Sequence, residues 1–169
     1  VRTLEILRGS GITADDRAVR RGIRATRWPG RMEQAAPGLY LDGAHNPGGI
    51  AAFLEAVRDV TGRREKEPYL LFAAVADKDY RSMAEAICRE IPWRGIGIAR
   101  MKNSRGLDTE KLAGIFRDFA DCPVWEYEDA GTALHEMRKA AGEQLLFCAG
   151  SLYLIGELRE CNSSDGLSS

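Results

Sequence analysis

The sequence predicts an α/β domain with a doubly wound, mostly parallel sheet. Two observations carry that expectation. From residue 39 onward, short apolar runs recur at intervals of about 25–30 residues. Between them lie segments whose apolar residues follow the 3.6-residue period of a helix.

The runs are Leu39–Leu41, Tyr69–Val75, Gly95–Ala99, Pro123–Tyr127 and Leu145–Ala149. They are continuous, rich in Leu, Ile, Val and Phe, and bounded by turns, the pattern of strands buried on both faces of a parallel sheet. Ile50, Phe53, Leu54 and Val57 follow i, i+3, i+4, i+7, and so do Tyr80, Met83, Ala84 and Ile87. The same stripe returns in Leu112, Ile115, Phe116 and Phe119, and in Ala130, Ala133, Leu134 and Met137. Asp108 and Asp129 stand where N-caps belong. A β-α-β-α order implies right-handed crossovers with helices on both faces, a Rossmann-like arrangement.

The first thirty residues differ. Leu4, Ile6 and Leu7, then Ala18, Val19 and Ile23, predict two short helices around Gly9-Ser10-Gly11, and Trp28-Pro29-Gly30 breaks the chain after them. Residues 1–26 are read as a helical appendage, 27–161 as the domain, and 162–169, small and polar, as a disordered tail.

Hydrophobic residues make up 44% of the 169, enough for a real core. No apolar run approaches the ~20 residues that cross a bilayer, and no signal peptide is visible, so a soluble cytoplasmic protein is expected. A net charge of −1 does not favour general nucleic-acid binding. Residues 1–31 nevertheless hold eight arginines against three acids, whereas the remainder holds 16 basic and 22 acidic side chains. That imbalance fits an exposed basic helix face, or a segment belonging with another surface or an anionic ligand. Cys88, Cys122, Cys148 and Cys161 show no metal-ligand spacing and are expected as reduced, mostly buried thiols.

The most informative segment is Asp42-Gly43-Ala44-His45-Asn46-Pro47. A strand ends, and a helix begins with Asn46 as N-cap and Pro47 at its first position. Gly48 and Gly49 allow close backbone approach. A helix N-terminus offers unpaired N–H groups and a positive dipole end, where an anionic phosphate would also meet His45. Asp42, at the strand tip, could accept hydrogen bonds from a ribose. The same residues also read as an ordinary turn, since Asp-Gly and Asn-Pro are common turn dipeptides. Lys78 falls at the next strand-to-helix corner, in an Asp-Lys-Asp turn with Asp79 as N-cap. Ser151 follows the last strand as an N-cap or a ligand contact. Arg105 could hold a carboxylate through its guanidinium fork, or sit solvated in a loop. His135 reads as a surface residue. The sequence lacks a P-loop, a Gly-x-Gly-x-x-Gly after the first strand, a Gly-x-Ser-x-Gly elbow and any clustered metal ligands.

Trp28-Pro29-Gly30-Arg31-Met32-Glu33, Leu41-Asp42-Gly43-Ala44-His45-Asn46-Pro47, Asp77-Lys78-Asp79 and Gly150-Ser151-Leu152-Tyr153-Leu154-Ile155-Gly156-Glu157 occur in that order. Together, over roughly residues 1–160, they resemble the C-terminal domain of the folylpolyglutamate synthase/dihydrofolate synthase family, within the Mur ligase superfamily. The resemblance implies ATP-dependent ligation of L-glutamate to folate or dihydropteroate through an acyl phosphate, with magnesium. It implies that Arg31 and Asp42 contact the nucleotide and that His45 lies at the phosphate and glutamate end of the cleft. Lys78 and Ser151 would approach the phosphates and the incoming glutamate; Arg105 is added as a substrate contact on its guanidinium chemistry, not on the resemblance. The P-loop, the magnesium ligands and a carbamylated lysine would lie in an N-terminal ATPase domain, to which residues 1–26 would be the tail. On that reading the chain is monomeric, contacts neither nucleic acid nor membrane, and is inactive alone. Two alternatives stand beside it: the equivalent domain of another Mur-type amino-acid ligase, and a non-catalytic Rossmann-like module for a nucleotide or protein partner.

Overall fold

The computed structural model describes residues 2–9, 11, 15–26, 28–62 and 67–165. Two helices, α1 (Arg2–Gly9) and α2 (Asp16–Ala25), precede a six-stranded sheet. The strands are β1 (Glu33–Ala36), β2 (Leu39–Leu41), β3 (Tyr69–Phe72), β4 (Gly95–Ala99), β5 (Val124–Tyr127) and β6 (Leu146–Ala149). The helices of the domain are α3 (Pro47–Thr61), α4 (Tyr80–Glu90), α5 (Thr109–Arg117), α6 (Ala130–Ala141) and α7 (Leu152–Asp165).

The strand order is β1-β2-β6-β3-β4-β5. Every pairing is parallel except that of β1 with β2. The last strand therefore inserts between the second and third, with Phe147 facing Tyr40 on one side and Leu70 on the other. Alternate residues of each strand point to opposite faces. Leu70, Phe72, Ile96, Ile98 and Phe147 pack with the stripes of α3, α4 and α5. Tyr69, Leu71, Leu146 and Cys148 pack with Ala133, Leu134 and Met137 of α6 and with Leu154 and Leu158 of α7. Sealing both faces in this way contributes about 1.5–3 kcal/mol per buried large side chain.

Asn46, Asp79, Asp108 and Asp129 cap their helices as expected; each accepts a hydrogen bond from the backbone N–H three residues on. The two short N-terminal helices are also present, and no residue of α2 is buried.

Several expectations need correction. β1 was not anticipated: Glu-Gln-Ala-Ala has no apolar alternation, and it forms as a half-exposed antiparallel edge held by β2. β3 stops at Phe72 rather than Val75, since Val75 leaves the sheet to bridge Gly106. β5 is only half buried, because it is the other edge of the sheet. Residues 162–165, assigned to a disordered tail, continue α7 to Asp165. The Asn162 side chain is engaged there, donating to Ala35 O at 3.3 Å; residues 166–169 lie outside the described residues. Of the four free thiols only Cys148 is buried, and the other three are half-buried.

Candidate functional site

The inserted β6 determines which loops meet. The C-terminal ends of β2, β6 and β3 lie side by side, so the segments that follow them, 42–47, 150–152 and 73–80, share one edge of the sheet. The helices after β2 and β3 pack on one face, while α7, which follows β6, packs on the other. Loops parting to opposite faces leave a crevice at the carboxyl ends of the strands, the usual ligand site of an open α/β sheet.

The corner is tied to its neighbours by backbone bonds. Asp42 N donates to Cys148 O at 2.9 Å, and Gly150 N donates to Ala44 O at 2.8 Å. The Asp42 side chain is buried, with Oδ1 accepting from Ala44 N and Oδ2 from Met32 N, both at 2.8 Å. Across the corner lies the turn 28–32. Gly43 N donates to Gly30 O at 2.7 Å, and Gly30 N donates to Glu33 Oε2 at 2.7 Å. Gly43 is required: a Cβ would lie 2.8 Å from Arg31 Nη1 and would also strike Leu152. His45 is half-buried, and its Nδ1 lies 2.7 Å from Gly43 O. Nδ1–H therefore donates to that carbonyl, and Nε2 is the ring nitrogen left for a ligand.

Two clefts open on this edge and share His45. One, of about 390 Å³, is lined by Arg31, Met32, Asp42, His45, Asn46 and Gly49, among others. The other, of about 350 Å³, is lined by His45, Val75, Lys78, Arg105, Ser151, Leu152 and Tyr153. All six residues singled out from the sequence thus fall on two adjoining clefts, with the imidazole on the ridge between them.

The local settings qualify their roles. Ser151 is buried, and its Oγ accepts from Tyr153 N at 3.2 Å, which caps α7. Arg105 is already paired, its Nη2 lying 2.8 Å from Asp77 Oδ2 across two exposed side chains. The Asp77 carboxylate offsets the charge Arg105 offers to an incoming anion. The backbone of the same loop is stapled to the β3 end by Ala76 N to Arg105 O (3.0 Å) and Leu107 N to Ala74 O (2.8 Å). Lys78 is half-buried and lines the same cleft. His135 is exposed in the middle of α6, as expected.

Sequence reasoning missed three contributors: Met32 and Tyr153, which line the clefts, and Asp77, which holds Arg105. Met32 has a φ of 40°, uncommon for a bulky side chain, and nothing in its sequence neighbourhood announces that conformation. Tyr153 followed Ser151 in a quoted motif, and its position just inside a helix at a strand end was the available signal. Among the described residues no group of three His, Cys, Asp or Glu could hold a metal ion. Each Asp42 oxygen accepts one backbone N–H group.

A separate cleft of about 460 Å³ opens at the other end of the sheet, beside Trp93, Arg94 and Pro123, and includes Cys88 and Cys122. Burial, then the charges of Cys122 and Asp121, pushes the Cys88 thiol up to about 12. It is a poor nucleophile at neutral pH.

The family model described as "Mur ligase, glutamate ligase domain" matches residues 30–152. A probable bifunctional folylpolyglutamate synthase/dihydropteroate synthase of Halobacterium salinarum is 33% identical over 156 residues, covering 86% of this chain and 17% of that protein. The dihydrofolate synthase/folylpolyglutamate synthase of Bacillus subtilis is 29% identical, over 86% of this chain and 33% of that protein. The chain therefore spans a third or less of these curated relatives. Among solved structures, the folylpolyglutamate synthase of Thermotoga maritima aligns with a TM-score of 0.69 and 26% identity, covering 96% of this chain and 37% of that one. The Mycobacterium tuberculosis folylpolyglutamate synthase, solved with ADP and AMPPCP, aligns with a TM-score of 0.73 and 23% identity over 90% of this chain and 36% of that one. With the family match spanning the sheet, the corner and the start of α7, this chain belongs to the Mur ligase, glutamate ligase domain family.

Proposed function

We propose that the chain is the C-terminal part of an ATP-dependent ligase that joins L-glutamate to folate or dihydropteroate. The observation that carries the proposal is the placement of His45 on the ridge shared by the two clefts, one containing Arg31 and the other Lys78, Arg105 and Ser151. In such a ligase a substrate carboxylate is activated with ATP as an acyl phosphate, and the glutamate amine displaces phosphate to form the amide. Both the transferring phosphoryl group and the incoming amino acid are anionic. One cleft would take the nucleotide phosphates through Arg31, the α3 N-terminus and His45 Nε2. The other would take glutamate carboxylates through Lys78, Arg105 and the Ser151 hydroxyl. Catalysis would then rest on holding two anions at a fixed separation, and exclusion of water would strengthen each contact.

This chain would supply one wall of the site. A P-loop ATPase domain, joined to it through α1 and α2, would hold the rest of the nucleotide and the magnesium. Ile6, Ile23 and Trp28 are 65%, 58% and 72% exposed, which suits surfaces made to be covered. The arginine-rich first turns would lie at that junction. The test is ligation of labelled glutamate to dihydropteroate and folates, assayed for the chain alone and for the polypeptide joining it to its ATPase domain. Turnover is expected only from the joined form. Turnover by the 169 residues alone, or by neither form, contradicts the proposal.

A further inference from the structure

We propose that Glu33 is a positioning residue that fixes the turn carrying Arg31; its consequence for nucleotide binding rests on the function proposed above. The Arg31 side chain is exposed, and its contact with Gly30 O is long, at 3.4 Å. Its direction is therefore set largely by the backbone on either side. On one side Gly30 is buried, its N–H donates to Glu33 Oε2 at 2.7 Å, and its carbonyl accepts from Gly43 N at 2.7 Å. On the other side Met32, with a φ of 40°, is held by its N–H to Asp42 Oδ2 at 2.8 Å. Two carboxylates thus grip the amides that flank Arg31, one from β1 and one from the residue that follows β2.

Glu33 suits this task because it stands on a rigid element. It pairs in register with Leu41 of β2, immediately before Asp42. Its second oxygen, Oε1, lies 3.7 Å from Arg159 Nη2 on α7, a longer second contact for the carboxylate. A group locked by its own strand and a second contact can hold a binding residue within a fraction of an ångström. A carboxylate present only to cap an edge strand would need neither the bond to Gly30 nor the neighbour on α7.

The test compares Glu33→Ala and Glu33→Gln in this chain by residue-resolved amide exchange, thermal melting and calorimetric titration with MgADP. In Glu33→Ala the Gly30 amide should exchange about tenfold faster or more, with protection in α3 and α6 unchanged. MgADP affinity should fall by about tenfold. Glu33→Gln keeps an oxygen that can accept from Gly30 N–H, so it should restore most of both. Unchanged exchange at Gly30 in Glu33→Ala overturns the proposal. So does a glutamine variant no better than alanine, or a uniform loss of protection and melting temperature. If the unsubstituted chain fails to bind MgADP, the nucleotide reading falls, and the exchange and rescue pattern still decides whether Glu33 fixes the turn.

Discussion

Asp42 holds two backbone amides, one ten residues before it and one two residues after it, and that bonding changes how its substitution should be read. Replacing it with alanine would leave the Met32 and Ala44 N–H groups without their acceptor. A buried orphan costs about 1–3 kcal/mol and the Met32 bond is only partly buried, so Asp42→Ala should lower unfolding free energy by roughly 2–5 kcal/mol in urea titrations. An unchanged urea midpoint would mean that the carboxylate is dispensable to the turn. His45 differs, because its one ring bond, to Gly43 O, is only partly buried. His45→Ala should cost about 1 kcal/mol or less in stability while lowering ligation by the joined polypeptide at least ~10-fold. Full retention of turnover would make the imidazole structural. At this scale the sequence names residues that line the two clefts, but not the bonds they make. Asp42 was legible as a strand-tip carboxylate beside a helix start. Its engagement with Met32 was not, because that contact depends on a left-handed methionine in a turn with no local signature.

The elements were legible where periodicity was strong. The four striped helices and their aspartate and asparagine caps follow from local chemistry alone. β1 was not, because Glu33–Ala36 is a strand only through its pairing with β2. The position of β6 was also hidden: nothing local to Leu146–Ala149 says that it lies between β2 and β3, yet that insertion brings Ser151 to His45. The turn after β6 depends on Gly150, at a φ of 105°, where a Cβ would lie 2.6 Å from the Phe72 ring and would also strike Ala73 O. Gly150→Ala should therefore destabilise by about 2 kcal/mol or more, read from its thermal melt against the parent chain. The cap of α6 carries a pH signature. Hydrogen bonds from the Thr132 backbone and hydroxyl hold the Asp129 carboxyl below its ordinary 3.8. A depressed folded value gives stability that is complete above 3.8 and is lost as pH falls through the lower value of the folded state. Asp129→Asn, which can still cap, should flatten that part of the acid stability curve, and an unaltered acid limb would count against the assignment.

Across the whole molecule, the fold class and the edge of the sheet where the two clefts open were readable from the order of strands and helices. The partner surface was not, because α1 and α2 bury none of their described apolar side chains against the domain. The central claim, that the two clefts sharing His45 form the anion-holding wall of a glutamate ligase, is tested most directly by one assay. ATP-dependent incorporation of labelled glutamate into dihydropteroate or folate would be measured for the polypeptide joining this domain to its ATPase domain. Arg31→Ala and Lys78→Ala would be assayed in parallel at matched folded fraction. The expected result is robust incorporation by the parent, with Arg31→Ala raising the ATP requirement and Lys78→Ala the glutamate requirement, each about tenfold or more. No incorporation by the parent, or unchanged ATP and glutamate dependence in both variants, would contradict it.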